Sequence, residues 1–74
     1  MYYKATAVYK RRQPDGEIVE DVREITGTEF LDQASEEVQR AYIGAKARVR
    51  LVEDIVGLSN FVEKSIEKIK VELW

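Results

Sequence analysis

From Leu31 onward the positions Leu31, Ser35, Val38, Tyr42, Ala45, Val49, Val52 and Val56 follow one another at alternating steps of four and three. That spacing lays them along one side of an α-helix, as the a and d positions of a heptad repeat do. Only Ser35 interrupts the apolar seam. A helix running from 29 to 56 would be about 42 Å long at 1.5 Å per residue. A compact chain of 74 residues has a radius of gyration of roughly 11 Å and is roughly 30 Å across. Such a helix is too long to be sheltered by its own domain. Either Gly44 breaks it, leaving 45–53 as a second helix or as a strand with Ala47, Val49 and Leu51 inward, or it runs on and packs against a second copy. One Gly costs only about 1 kcal/mol in a helix interior, and no other turn signal lies between Ala41 and Val56. The long or kinked helix is therefore expected, with Val38, Tyr42, Ala45, Val49, Val52 and Val56 as a protein interface.

Residues 2–12 read differently. Tyr3, Ala5, Ala7 and Tyr9 alternate with Lys4, Thr6, Val8 and Lys10, the period of a strand, in a segment holding β-favouring Tyr, Thr and Val. Gln13-Pro14-Asp15-Gly16-Glu17 is a turn in which Pro presets φ, Asp bonds the backbone and Gly takes positive φ beside a bulge. If Gln13 faces Glu17, then Lys10 lies opposite Glu20, Val8 opposite Val22, Thr6 opposite Glu24 and Ala5 opposite Ile25. Opposite charges and β-branched pairs each favour that register by roughly 0.2 to 1 kcal/mol. Ile18, Val22 and Ile25 also suit a helix at i, i+4 and i+7, but the preceding turn selects the hairpin.

Thr28 is the expected N-cap of the helix, with Glu29 and Asp32 in its first turn complementing the dipole. Gly57-Leu58-Ser59-Asn60 marks a stop and a restart: Gly57 at C′, Asn60 as the next N-cap, and Glu63 in a capping-box position. A short second helix is expected from 60 to about 68. Ile69, Val71 and Leu73 alternate with Lys68, Lys70 and Glu72, so the tail offers a third strand against the hairpin. The expected architecture over residues 1–74, read as a single domain, is α+β: an N-terminal β-hairpin packed on a long or kinked α-helix, then a short second helix and a possible C-terminal strand.

Val56-Gly57-Leu58-Ser59-Asn60-Phe61-Val62, followed by Ile66, resembles the turn of helix-turn-helix proteins, and a Gly-x-Ser turn before an amphipathic helix is similar to that of ribbon-helix-helix repressors. The resemblance covers about twenty residues and implies DNA binding. Glu53 and Glu63 stand where that pattern holds small or buried residues. Residues 60–67 supply only Asn60 and Lys64 as base-reading groups.

Composition narrows the chemistry. The chain holds no Cys and no His, which removes disulfides, thiolate nucleophiles, structural zinc sites and imidazole acid–base catalysis. Ser35, Ser59 and Ser65 have no His to activate them, and no phosphate-binding glycine loop occurs. No enzyme activity and no cofactor or metal are expected. The longest uncharged stretch, Val56 to Val62, is far short of the roughly 18 to 20 apolar residues of a membrane span. With neither disulfides nor a basic-then-apolar leader, a cytoplasmic location is expected.

Net charge is only −2, yet residues 1–12 carry +4, residues 15–37 carry −8 and residues 38–50 carry +4. Segregation of this kind creates local fields. Lys10, Arg11 and Arg12 at the hairpin tip, with Lys46, Arg48 and Arg50 in mid-chain, are candidate phosphate contacts for DNA or RNA. Their other reading is pairing with the chain's own acids, Lys10 with Glu20 and Arg50 with Glu53 or Asp54. Asp15, Glu17, Glu20, Asp21 and Glu24 lack the spacing of a calcium loop and read as a solvated acidic face. Tyr3, Tyr9 and Tyr42 are expected in the core. Tyr2 and Trp74, near the ends, are harder to bury and suit protein contact.

Folding this chain buries about 60% of its surface. Apolar burial contributes on the order of 115 kcal/mol against about 110 kcal/mol of ordering entropy. With so slender a margin, self-association offers a further source of buried area. The expected function is a small non-catalytic interaction module, a homo-oligomer that also contacts another protein. A DNA- or RNA-binding regulator is the alternative.

Overall fold

The Gln13–Glu17 turn closes as its residues dictate. In the computed structural model, which describes residues 1–74, the Gln13 N–H donates to the Glu17 carbonyl at 2.7 Å and the Gly16 N–H to the Gln13 carbonyl at 2.8 Å. Asp15 Oδ1 accepts from the Glu17 N–H at 2.9 Å. Gly16 takes φ +89°, a conformation that a Cβ would oppose. This turn joins β1 (Tyr2–Arg12) to β2 (Ile18–Thr28), antiparallel strands of 11 residues each. Lys10 lies opposite Glu20, Val8 opposite Val22, Thr6 opposite Glu24 and Ala5 opposite Ile25. The helical alternative for 17–26 is displaced.

The helix α1 (Glu36–Val56) starts later than Thr28. Thr28 is still in β2, paired with Tyr2, so the hairpin takes the residue that local chemistry offered as a cap. Ser35, which interrupts the heptad seam, is the N-cap: its Oγ accepts from the Val38 N–H at 3.2 Å. Glu36 and Glu37, rather than Glu29 and Asp32, supply the acidic first turn. The helix passes through Gly44 in one piece, so 45–53 is neither a strand nor a separate helix. It stops at Gly57, whose N–H is bonded back to Glu53 and Ile55.

No second helix follows. Lys64 and Lys68 adopt φ of 64° and 55°, which no continuous α-helix contains. The Arg12 N–H donates to the Asn60 carbonyl at 2.8 Å, and the Val62 N–H to the Lys10 carbonyl at 2.9 Å. Ser65 Oγ accepts from the Lys10 N–H at 2.9 Å. Residues 60–65 thus satisfy the outer edge of β1 near the hairpin tip, and β3 (Glu67–Leu73) pairs with the rest of that edge. An 11-residue strand with one open edge has backbone groups to satisfy, and this demand outweighs the local helical signal at Asn60 and Glu63. The resemblance to helix-turn-helix and ribbon-helix-helix proteins ends here, because no helix follows Gly57-Leu58-Ser59.

The sheet order is β2-β1-β3. Since β2 and β3 are both antiparallel to β1, they run parallel to each other, and α1 crosses one face of the sheet between them. Tyr3, Ala5, Ala7 and Tyr9 of β1 and Ile43, Ala47, Leu51 and Ile55 of α1 are the buried core. Ile25, Phe61, Ile69, Val71 and Leu73 border it. The small Ala5, Ala7 and Ala47 let the helix approach the central strand closely.

The molecule measures 51 × 17 × 17 Å, with a radius of gyration of 14.4 Å, well above the roughly 11 Å of a compact chain. The helix, 21 residues and about 31 Å long, lies along strands of similar length. Elongation, and not a break at Gly44, accommodates it. A single sheet can cover only one side of that helix.

Candidate interaction surface

The two apolar sets on α1 point in opposite directions. Ile43, Ala47, Leu51 and Ile55 advance by steps of four and face the sheet. The four–three stripe lies about 160° around the helix from them at 3.6 residues per turn. Val38, Tyr42, Val49 and Val56 are 52%, 44%, 54% and 55% exposed. Ala45 is exposed as well, and Val52 is half-buried. Tyr42, expected in the core, is therefore outside it. Ile43 and Ile55 were missed as core residues, and Leu51, with Ala47, was placed inward only in the strand alternative for 45–53, which also put the exposed Val49 inside. Their signal was a shorter run of larger aliphatic side chains, hidden beneath a longer and more regular pattern.

Charges on α1 separate into those engaged within the chain and those left free. Arg50 donates to the Tyr3 hydroxyl at 2.9 Å and also pairs with Glu29. The Tyr3 bond, and then Glu29, push the guanidinium pKa above its usual value. Lys46 reaches the same Glu29 at 3.4 Å. Asp54 pairs with Arg23 of β2 and raises its pKa. Arg40 bonds to Glu36 one turn earlier at 3.3 Å. Arg50 thus pairs with Glu29, and not with Glu53 or Asp54. Arg48 and Glu53, which flank the outward stripe on opposite sides, form no ion pair within the chain.

The candidate phosphate contacts are not brought together. Arg11 Nε donates to Asp21 at 2.9 Å, and Arg12 donates to the Gly16 carbonyl at 3.0 Å. With Lys10, which forms no ion pair with Glu20, they occupy the tip end of the hairpin. Lys46 and Arg50 are held on Glu29, beside the opposite end of the sheet. The acidic group is divided too. Glu20 and Glu24 are exposed on the open face of the sheet, where Glu24 meets Lys4 at 3.4 Å. Asp21 lies on the helix-side face. Its carboxyl is held below the usual range by the Val22 N–H and then by Arg11.

The open face of the sheet carries Tyr2 directly beside Trp74, with both backbone bonds exchanged at 2.8 and 3.1 Å. Both rings are exposed, as are Ile18 and Val22. Between them, Lys4, Lys10 and Lys70 are interspersed with Glu20, Glu24 and Glu72. That face offers scattered apolar groups in mixed charge, whereas α1 offers a continuous apolar line. No helix is long and apolar enough to cross a membrane. No pocket indents the surface, so the candidate site is a face and not a cleft. Comparison with protein-family models, with curated proteins and with solved structures returned no match.

Proposed function

We propose that this chain is a small non-catalytic interaction module of the cytoplasm that associates with itself through the outward stripe of α1, Val38, Tyr42, Ala45, Val49, Val52 and Val56. The observation carrying this reading is that a heptad-spaced apolar line runs the length of the helix on the side the sheet leaves uncovered. Single exposed apolar residues are ordinary; a contiguous line of them marks an interaction face. The accessible surface of 5163 Å² exceeds the roughly 4,700 Å² of a compact chain of this mass. The elongated monomer thus leaves area for a second copy to bury.

The nucleic-acid reading lacks comparable support. Its basic residues lie in separate places, and Arg11, Arg12, Lys46 and Arg50 are engaged within the chain.

Association of folded copies stabilises them by mass action. The midpoint of thermal unfolding should therefore rise with protein concentration. Val49→Asp places a charge at the centre of the stripe and should make that midpoint independent of concentration while leaving the dilute-solution value nearly unchanged. A wild-type midpoint that does not move with concentration contradicts the proposal.

A further inference from the structure

Two charged residues beside the stripe have no partner within the chain, and their spacing specifies how a second copy would lie. In the heptad frame Tyr42, Val49 and Val56 occupy a, while Val38, Ala45 and Val52 occupy d. Arg48 is then a g residue and Glu53 the e residue five positions later. In a parallel two-stranded coil, a g residue meets the e residue of the following heptad on the other helix, and such pairs set orientation. We propose that two copies pair through α1 in parallel, with Arg48 of each copy meeting Glu53 of the other. This rests on the self-association reading and adds its geometry.

The charges disfavour the opposite arrangement. The antiparallel alignment that matches the whole stripe sets Val38 against Val56, Tyr42 against Val52 and Ala45 against Val49. It brings Lys46 beside its own copy and Arg48 beside its own copy at the twofold axis, where like charges repel. Sliding the antiparallel pair by one heptad brings Lys46 to Glu53, but leaves Val38 and Tyr42 without partners. Lys46 is also already held by Glu29. The other helix-borne ions near the sheet, Arg50 and Asp54, are engaged with Glu29 and Arg23. Arg48 and Glu53 are what the seam leaves available. Because the stripe lies nearly opposite the buried face, parallel pairing keeps both sheets on the outside without collision.

Absence of native cysteine makes a direct test available. Val38→Cys and Val56→Cys are prepared separately and oxidised, alone and mixed. Parallel pairing sets each position against itself, so each variant should link to its own kind and the mixture should give no link between positions 38 and 56. In the stripe-matching antiparallel alignment the two copies of position 56 are about 27 Å apart along the axis, beyond the roughly 4.4 to 6.8 Å between Cα atoms that a disulfide spans. Only mixed links would then form. As a second reading, Arg48→Glu or Glu53→Arg alone should weaken association by roughly tenfold, and the two together should restore it. A chain that sediments as a monomer defeats both the interface and its orientation. A dimer in which neither variant links to itself keeps the interface and overturns the parallel arrangement.

Discussion

The two faces of α1 are built from the same kinds of residue and meet opposite fates. Ile43, Ala47, Leu51 and Ile55 are buried against Ala5 and Ala7 of the central strand, while Val38, Tyr42, Val49 and Val56 remain exposed to solvent. Regularity of pattern did not decide which face turned inward. The outward stripe is the longer and more even of the two, yet the sheet took the face whose Ile and Leu side chains fill the space above two alanines. A three-stranded sheet has room for one face, so the helix carries a second apolar line with nothing of its own chain to cover it.

The sharpest way to break this contrast is to truncate one residue from each face. Leu51→Ala should cost about 2 to 5 kcal/mol through lost burial and the cavity left behind. That is a large share of the roughly 5 to 15 kcal/mol that stabilises a typical domain. Val49→Ala, measured in dilute solution, should stay within about 0.5 kcal/mol. Urea denaturation of the two variants decides this, and equal losses would erase the distinction between the faces.

A smaller effect probes the edge of the buried side. The Tyr3 ring lies directly on Gly27, where a Cβ would come within 2.5 Å of the Tyr3 hydroxyl and 2.6 Å of Cζ. The buried ring has little room to move away. Gly27→Ala should therefore displace it, loosen its bond to Arg50, and cost about 1 to 3 kcal/mol, again read by denaturation. On the outward face the corresponding change is an addition. Ala45→Leu widens the apolar line at its centre and should tighten self-association by roughly tenfold, seen as a dimer persisting at lower concentration. Tightening of that kind without any change in dilute stability would mark the stripe as a surface and not a core.

The smallest effect concerns the polar flank of the sheet. Asp21 has its folded pKa lowered from 3.8. Its contribution to stability is therefore complete above the unfolded value of 3.8 and is lost as pH falls below that value through the lower folded one. Asp21→Asn should destabilise at neutral pH and flatten the acid limb of the pH–stability curve. A variant with an unchanged acid limb would show that other carboxylates carry it.

Much of this fold was legible from local chemistry, and the remainder was decided at a distance. Pro14, Asp15 and Gly16 determine the hairpin and its register because every contact involved is local. The helix stops at Gly57 as its local signal suggests, although Gly57 is the C-cap itself at φ −72° and not a left-handed residue at C′. Thr28 and Ser35 are both good caps, and only the length of the β1–β2 pairing determines which is used. Asn60 and Glu63 look like a helix start, but the unpaired edge of β1, some fifty residues earlier in the chain, claims that segment as strand and turn. At the candidate site the four–three spacing marks the stripe as a row and the length of the helix marks it as a face for a partner, Tyr42 alone being also expected in the core, whereas the buried face opposite it is not marked as such. Direction depends on which helix face matches Ala5 and Ala7 in shape. Arg50 illustrates the same limit, since its nearby acids Glu53 and Asp54 lost to Glu29, which the fold delivers beside it.

Sedimentation equilibrium of the unmodified chain, from dilute to concentrated solution, decides whether two copies pair through α1. The mass should rise from one copy to two, and Val49→Asp should hold it at one. A chain that keeps the mass of a single copy throughout would show that the outward line of α1 is not a self-association surface.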